Sequence, residues 1–169
     1  MIIREATIKD IPEVMQVVKA VVPLMIASGN LQWDNAYPNE AVFEKDISFH
    51  QLWVAEIDGS IAGIAAITTD QELEYAQVGW DINETAIVTH RLAVNPQFQG
   101  KGVAVALLQQ AEKNAIARQI PILRIDTNTK NEATQKLFPK LGYIFAGEVG
   151  LSFRPGLRFY CYEKRLSFK

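Results

Sequence analysis

Little in this chain invites covalent cross-linking or passage through a bilayer. Cysteine occurs once, at Cys161, so no intrachain disulfide can form, and that residue reads as a small core side chain rather than a nucleophile. The most apolar window, Val14 to Ala27, is interrupted by Gln16, Lys19 and Pro23 and is too short to span a membrane; it reads as a buried helix, kinked or ended near Pro23. The opening MIIREATIKD carries charges where a secretory signal would need an apolar run, so the default expectation is the cytoplasm with no membrane partner. No overall excess of basic residues exists, 17 Lys and Arg standing against 19 Asp and Glu, and this excludes the electrostatic footprint of a nucleic-acid binder. No metal site is expected. Repeats, low-complexity tracts and linkers rich in glycine, serine or proline are missing as well, so residues 1–169 are expected to form a single domain.

What is present is an ordinary globular balance, 49% apolar and 21% charged, with an uneven spread of charge. Residues 1–89 hold four Lys or Arg against fourteen Asp or Glu, whereas residues 90–140 hold eight basic against three acidic. The basic portion surrounds the most informative stretch, HRLAVNPQFQGKGVAVALL, from His90 to Leu108. It begins as an apolar strand that must stop at Asn95-Pro96, since proline has no N–H for a ladder and restricts the residue before it. Then comes a glycine-bearing loop, Gln97 to Gly102. Apolar residues at Ala104, Leu107, Leu108, Ala111 and Ala115 follow at helical spacing. A strand that passes through glycines into a helix leaves free amides at the positive end of the helix dipole, a geometry suited to phosphate.

Spacing discriminates among phosphate loops. A P-loop needs Gly-x4-Gly-Lys-Ser/Thr, and here Asn95 stands where the first glycine should be. A dinucleotide fingerprint needs Gly-x-Gly-x-x-Gly; Gly100 and Gly102 fit, and Asp126 ends the next apolar run, but the third glycine is Val105. A nucleotide-binding α/β protein therefore stays open as a competing reading.

The stretch resembles the GNAT N-acetyltransferase superfamily, whose cofactor motif is Gln/Arg-x-x-Gly-x-Gly/Ala: Gln97-Phe98-Gln99-Gly100-Lys101-Gly102 matches each defined position. A second segment, Asn131 to Tyr143, is similar to the family's Asn-x-x-Ala-x-x-Leu-Tyr-x-x-x-Gly-Phe. The remaining pattern agrees with that resemblance. Leu52–Ile57, Asp58-Gly59 and Ile61–Thr68 read as a hairpin with a type I′ turn. Asn39 reads as the cap of a short helix, 40–49, and Thr7 and Asp10 offer capping oxygens before the first helix. Asp70 to Glu84 reads as a loop or a strand continuation. The whole is expected to be an α/β (α+β) domain with a mixed, mostly antiparallel sheet of about seven strands flanked by about four helices.

The resemblance implies acetyl-coenzyme A as the donor co-substrate. Backbone amides from Phe98 to Val103, with the Gln97–Ala104 loop as a whole, are expected to hold the diphosphate. The edge of Leu92, Ala93 and Val94 is expected to pair with the pantetheine arm, which requires the strand at 86–94 to splay from that at 122–126. Asn131, Thr134 and Phe138 fall in the second matching segment; Asn131 corresponds to the family's pantetheine contact and also reads as a helix cap. Phe138 occupies the position usually held by the tyrosine acid, and phenylalanine cannot donate a proton, so Tyr160 or Tyr143 are candidate substitutes. This departure motivates an alternative: a non-catalytic acyl-CoA-binding or sensor module. His90 is the candidate base, sharing a face with Val88, Leu92 and Val94 by alternation, with a hydrogen-bonded structural histidine as the competing role. Glu84 is a weaker candidate. Trp33, Tyr37 and Phe153 are candidates to line the pocket of a small-molecule or peptide amine, and the acidic first half favours a cationic one. A monomer or homodimer is expected.

Overall fold

A computed structural model describes residues 1–168. The strands are β1 (Ile2–Glu5), β2 (Leu52–Ile57), β3 (Ser60–Thr68), β4 (Ile87–Val94), β5 (Ile122–Asn128), β6 (Ile144–Gly150) and β7 (Arg158–Arg165). The helices are α1 (Ile11–Ala27), α2 (Glu40–Ser48), α3 (Val103–Ala117) and α4 (Glu132–Lys140), with short 3₁₀ turns at Ile8–Asp10, Leu73–Val78 and Pro96–Phe98. One seven-stranded sheet runs in the order β1-β2-β3-β4-β5-β7-β6. All neighbours are antiparallel except β4 and β5. This sheet differs from the doubly wound parallel sheet of a dinucleotide-binding fold, and the fingerprint reading of Gly100 and Gly102 falls with it.

Local chemistry explains the elements. Asp58 and Gly59 both take positive φ, 50° and 80°, as a type I′ turn demands. Asn39 Oδ1 accepts from the Val42 amide at 3.1 Å and starts α2. Asp10 accepts from the Thr7 amide at 2.7 Å and binds Arg4 through both oxygens. Two details depart from expectation. Helix α1 runs through Pro23 to Ala27, and it is amphipathic rather than wholly buried: Val14, Val17, Val18 and Val22 face the core while Leu24 and Ile26 are exposed. The 70–84 segment adds no strand to the sheet, and its centre is the Leu73–Val78 turn.

Helices α1 and α2 cover one face of the sheet, with Val14, Val18, Phe43, Val54 and Ile64 between them. The Leu73–Val78 turn covers the rest of that face, packing Tyr75 against Val88, Phe159 and Cys161. Helices α3 and α4 cover the opposite face, with Leu107, Leu108, Ile125, Phe138 and Tyr162. No helix among the described residues is long and apolar enough to cross a membrane.

Candidate active site

The parallel pair β4–β5 is joined only at Ile87↔Leu123 and Val88↔Arg124. Past Val88 the two strands part, so the carboxyl-terminal half of β4 shows an unpaired edge, as the splay requirement anticipated. A bulge reshapes that half. Ile64 faces Ala93 while Ala66 faces His90, so Arg91 and Leu92 on β4 oppose Ala65 alone on β3. Arg91 takes a positive φ of 52°. Its guanidinium is held in that position by Asp46 of α2, Nε to Oδ2 at 2.8 Å and Nη2 to Oδ1 at 2.7 Å. Hydrogen bonding and charge from Asp46 raise the Arg91 pKa against the opposing pull of burial.

The bulge overturns one expectation. Strict alternation puts His90 with Leu92 and Val94; the extra residue puts His90 with Val88 and Ala93 on the α1/α2 face, and Leu92 and Val94 on the α3/α4 face. Phe138 therefore lies on the opposite face of the sheet from His90. Both nevertheless line one cavity of about 770 Å³, because the gap between β4 and β5 passes through the sheet. On the α3/α4 side its wall includes Leu92, Val94, Phe98, Val103, Ile125 and Phe138. On the other side it includes Trp33, Tyr37, Phe153, Glu72, His90 and Asp126.

Gly100 and Gly102 stand at the α3 end of the cavity with φ of 76° and 77°, and a Cβ on either would meet nothing within 4 Å. Space in front of the loop is thus open. The amides of Gln97, Phe98 and Gln99 are engaged by Asn95 Oδ1, Asn95 O and Pro96 O. Free amides consequently begin at Gly100 and continue to Val105, with no partner among the described residues. The free amides thus begin and end two residues beyond the expected Phe98–Val103. Gln99, Ala104, Ala93, Asn131 and Thr134 line the cavity, whereas Gln97 and Lys101 are exposed outside it. Asn131 does cap α4, accepting from the Thr134 amide at 3.2 Å through Oδ1, which leaves its Nδ2 donors available.

His90 Nε2 lies 2.8 Å from the Asp70 carbonyl. A carbonyl only accepts, so Nε2 carries a proton toward it, and in the neutral ring the lone pair is then on Nδ1. Two carboxyl groups not singled out as site residues share this part of the cavity. Asp126 accepts a hydrogen bond from the buried Tyr75 hydroxyl, and burial raises its pKa despite the opposing influence of His90 and Tyr75. Burial also raises the Glu72 pKa, partly offset by His90. Glu84 is elsewhere, exposed before the start of β4 and paired with Arg165 at 3.4 Å and Arg124 at 3.8 Å. Tyr143 and Tyr160 are outside the cavity wall. Tyr143 is buried against Phe138 with its hydroxyl pKa raised by burial, and Tyr160 packs on Phe145.

The loops holding Trp33, Tyr37 and Phe153 do meet. Tyr37 and Phe153 rings are 6.3 Å apart, Arg154 stacks over Tyr37 at 5.0 Å, and Arg154 pairs with Asp34 at 3.3 Å. Trp33 is nearly all core, 3% exposed, although it borders the cavity.

A family model described as acetyltransferase (GNAT) family matches residues 22–143. The chain belongs to the GNAT acetyltransferase family. Among solved structures, a GNAT acetyltransferase from Streptococcus agalactiae is 30% identical, with 99% of this chain and 96% of that one covered and a TM-score of 0.82. An N-acetyltransferase from Staphylococcus aureus is 26% identical, with 98% of each chain covered and a TM-score of 0.70. A ribosomal-protein-alanine N-acetyltransferase from Brucella melitensis shares the fold at 20% identity and a TM-score of 0.71, over 98% of this chain and all of that one.

Proposed function

We propose that this protein transfers the acetyl group of acetyl-coenzyme A to a primary amine by direct attack on the thioester. The observation that carries the reading is the gap through the sheet, which gives two molecules separate approaches to one point. The site's donor chemistry fits the coenzyme: Gly100–Val105 offers amides for its diphosphate, the β4 edge from Leu92 to Val94 suits its amide-bearing arm, and Asn131 Nδ2 can donate to the same arm. When bound, acetyl-coenzyme A supplies an activated acyl carbon. In the balanced reaction an N–C bond forms, the C–S bond breaks, and the proton lost by the amine ends on the thiol.

An alkylamine with a pKa of about 10.4 arrives charged and must lose a proton before attack. His90 is the proposed base, acting through Nδ1; the contact of Nε2 with the Asp70 carbonyl, which fixes the ring, supports this role. An N–H of the exposed β4 edge is suited to stabilising the oxygen that becomes negative. No side-chain acid is needed at Phe138, since a thiol of pKa about 8.5 leaves as a thiolate without prior protonation.

Phe138 also favours the second reading, a coenzyme-binding module without turnover. Thiol release from acetyl-coenzyme A across a panel of amines separates the two. Acceptor-dependent release establishes transfer; tight coenzyme binding with no release under any acceptor would leave the binding module.

A further inference from the structure

The acceptor half of the cavity has a one-sided charge. Its carboxyl and imidazole groups are Glu72, Asp126 and His90, and Arg91 is the only lysine or arginine that lines it among the described residues. Arg91 is already neutralised by the two bonds to Asp46, a residue only 5% exposed. The Glu72 carboxylate, by contrast, takes no hydrogen bond from any described residue.

Glu72 is also held in place from both sides. Gln71 accepts from Arg124 Nη1 at 2.6 Å and donates to the Glu84 carbonyl at 2.7 Å. Arg124 is itself fully buried, bonded to Glu163 at 2.9 Å and stacked on Trp80 at 4.9 Å. Three residues after Glu72, Tyr75 is fastened to Asp126 on β5. A carboxylate without a partner, mounted between two anchors over a gap walled by Trp33, Tyr37 and Phe153, has the chemistry to receive a cation.

We propose that the acceptor is a primary amine with no anionic group beside the reacting nitrogen, received as an ammonium by Glu72 and Asp126. This rests on the acyltransferase reading and narrows it. A free α-amino acid would bring its carboxylate against Glu72 and Asp126, and like charges placed together at an interface are strongly disfavoured. Arg91 is bound to Asp46, and Arg154, whose Nε and Nη2 lack partners, is paired with Asp34 and stacked on Tyr37 outside the cavity wall. Among the described residues, no free cation in the wall therefore meets that carboxylate. Apolar amines, and amino termini whose carboxyl is tied up as an amide, carry no such penalty.

The test measures thiol release from acetyl-coenzyme A with 2-phenylethylamine, phenylalaninamide and phenylalanine. The amine and the amide are expected to exceed phenylalanine in kcat/KM by about tenfold to a hundredfold. Phenylethylamine and phenylalanine have amines of similar basicity, so that pair isolates the carboxylate. Whichever of the first two is faster tells a small amine from a peptide-like amino terminus. Glu72→Gln is expected to raise KM for the amine and narrow its lead over phenylalanine. Equal turnover of phenylalanine and 2-phenylethylamine by the unaltered protein overturns the inference while the transferase reading stands. Coenzyme binding with no release from any of the three overturns both.

Discussion

At Asp126 the fold keeps a carboxyl group where its charge is disfavoured. Burial pushes its folded pKa above the unfolded value of about 3.9, and Tyr75 and His90 offset this only in part. A carboxyl whose folded pKa is raised contributes stability below the unfolded value and loses that contribution as pH rises through the folded one. At neutral pH the side chain therefore works against folding. Asp126→Asn is expected to raise the melting temperature at pH 7, with the gain fading toward about pH 4, in thermal scans across pH. Activity should fall in the same variant, the pattern of a group retained for its use rather than for stability. Asp126 is visible in the sequence only as the end of an apolar run. Its closeness to Glu72 and His90 depends on the Tyr75 and Arg124 anchors, which join residues more than fifty positions apart.

Among the elements, the turn after Pro96 is the most legible in sequence, because proline, two glycines and a helical apolar period act within a dozen residues. Its function is open to a direct test. Gly102→Val places a β-branched residue at φ 77° and a side chain in the open space before the amides. The strain costs about 1–3 kcal/mol. Calorimetry or thermal shift should show coenzyme A stabilising the unaltered protein and failing to stabilise the variant, with circular dichroism unchanged. The bulge in β4 is not legible. Period-two alternation carries no sign of an extra residue, and what fixes it is Asp46, far away on α2. Asp46→Ala strands the Arg91 charge in a half-buried position and is expected to lose about 3–5 kcal/mol in denaturant titration. Turnover should drop further than coenzyme affinity, because the amides of Gly100–Val105 belong to another element.

Over the whole molecule, the order and type of the seven strands and four helices follow from turn chemistry and periodicity, and the GNAT motifs fix their arrangement. Cys161 gives this scale a probe. It is buried on β7 opposite Asp126, and burial, with the nearby Asp126 charge, pushes its thiol up to about 12. In the folded protein it should stay silent toward a thiol reagent at pH 8 and react as denaturant opens the core, so thiol release in turnover assays carries no background from the enzyme. The scanty joint between β4 and β5 has a mechanical consequence. Strands β1–β4 and β5–β7 are two half-sheets stitched together at Ile87–Leu123 and Val88–Arg124. A molecule hydrogen-bonded along the open part of that seam would act as a splint, so hydrogen exchange in β4 and β5 should slow together when the donor is present, and the empty enzyme should breathe along this line first.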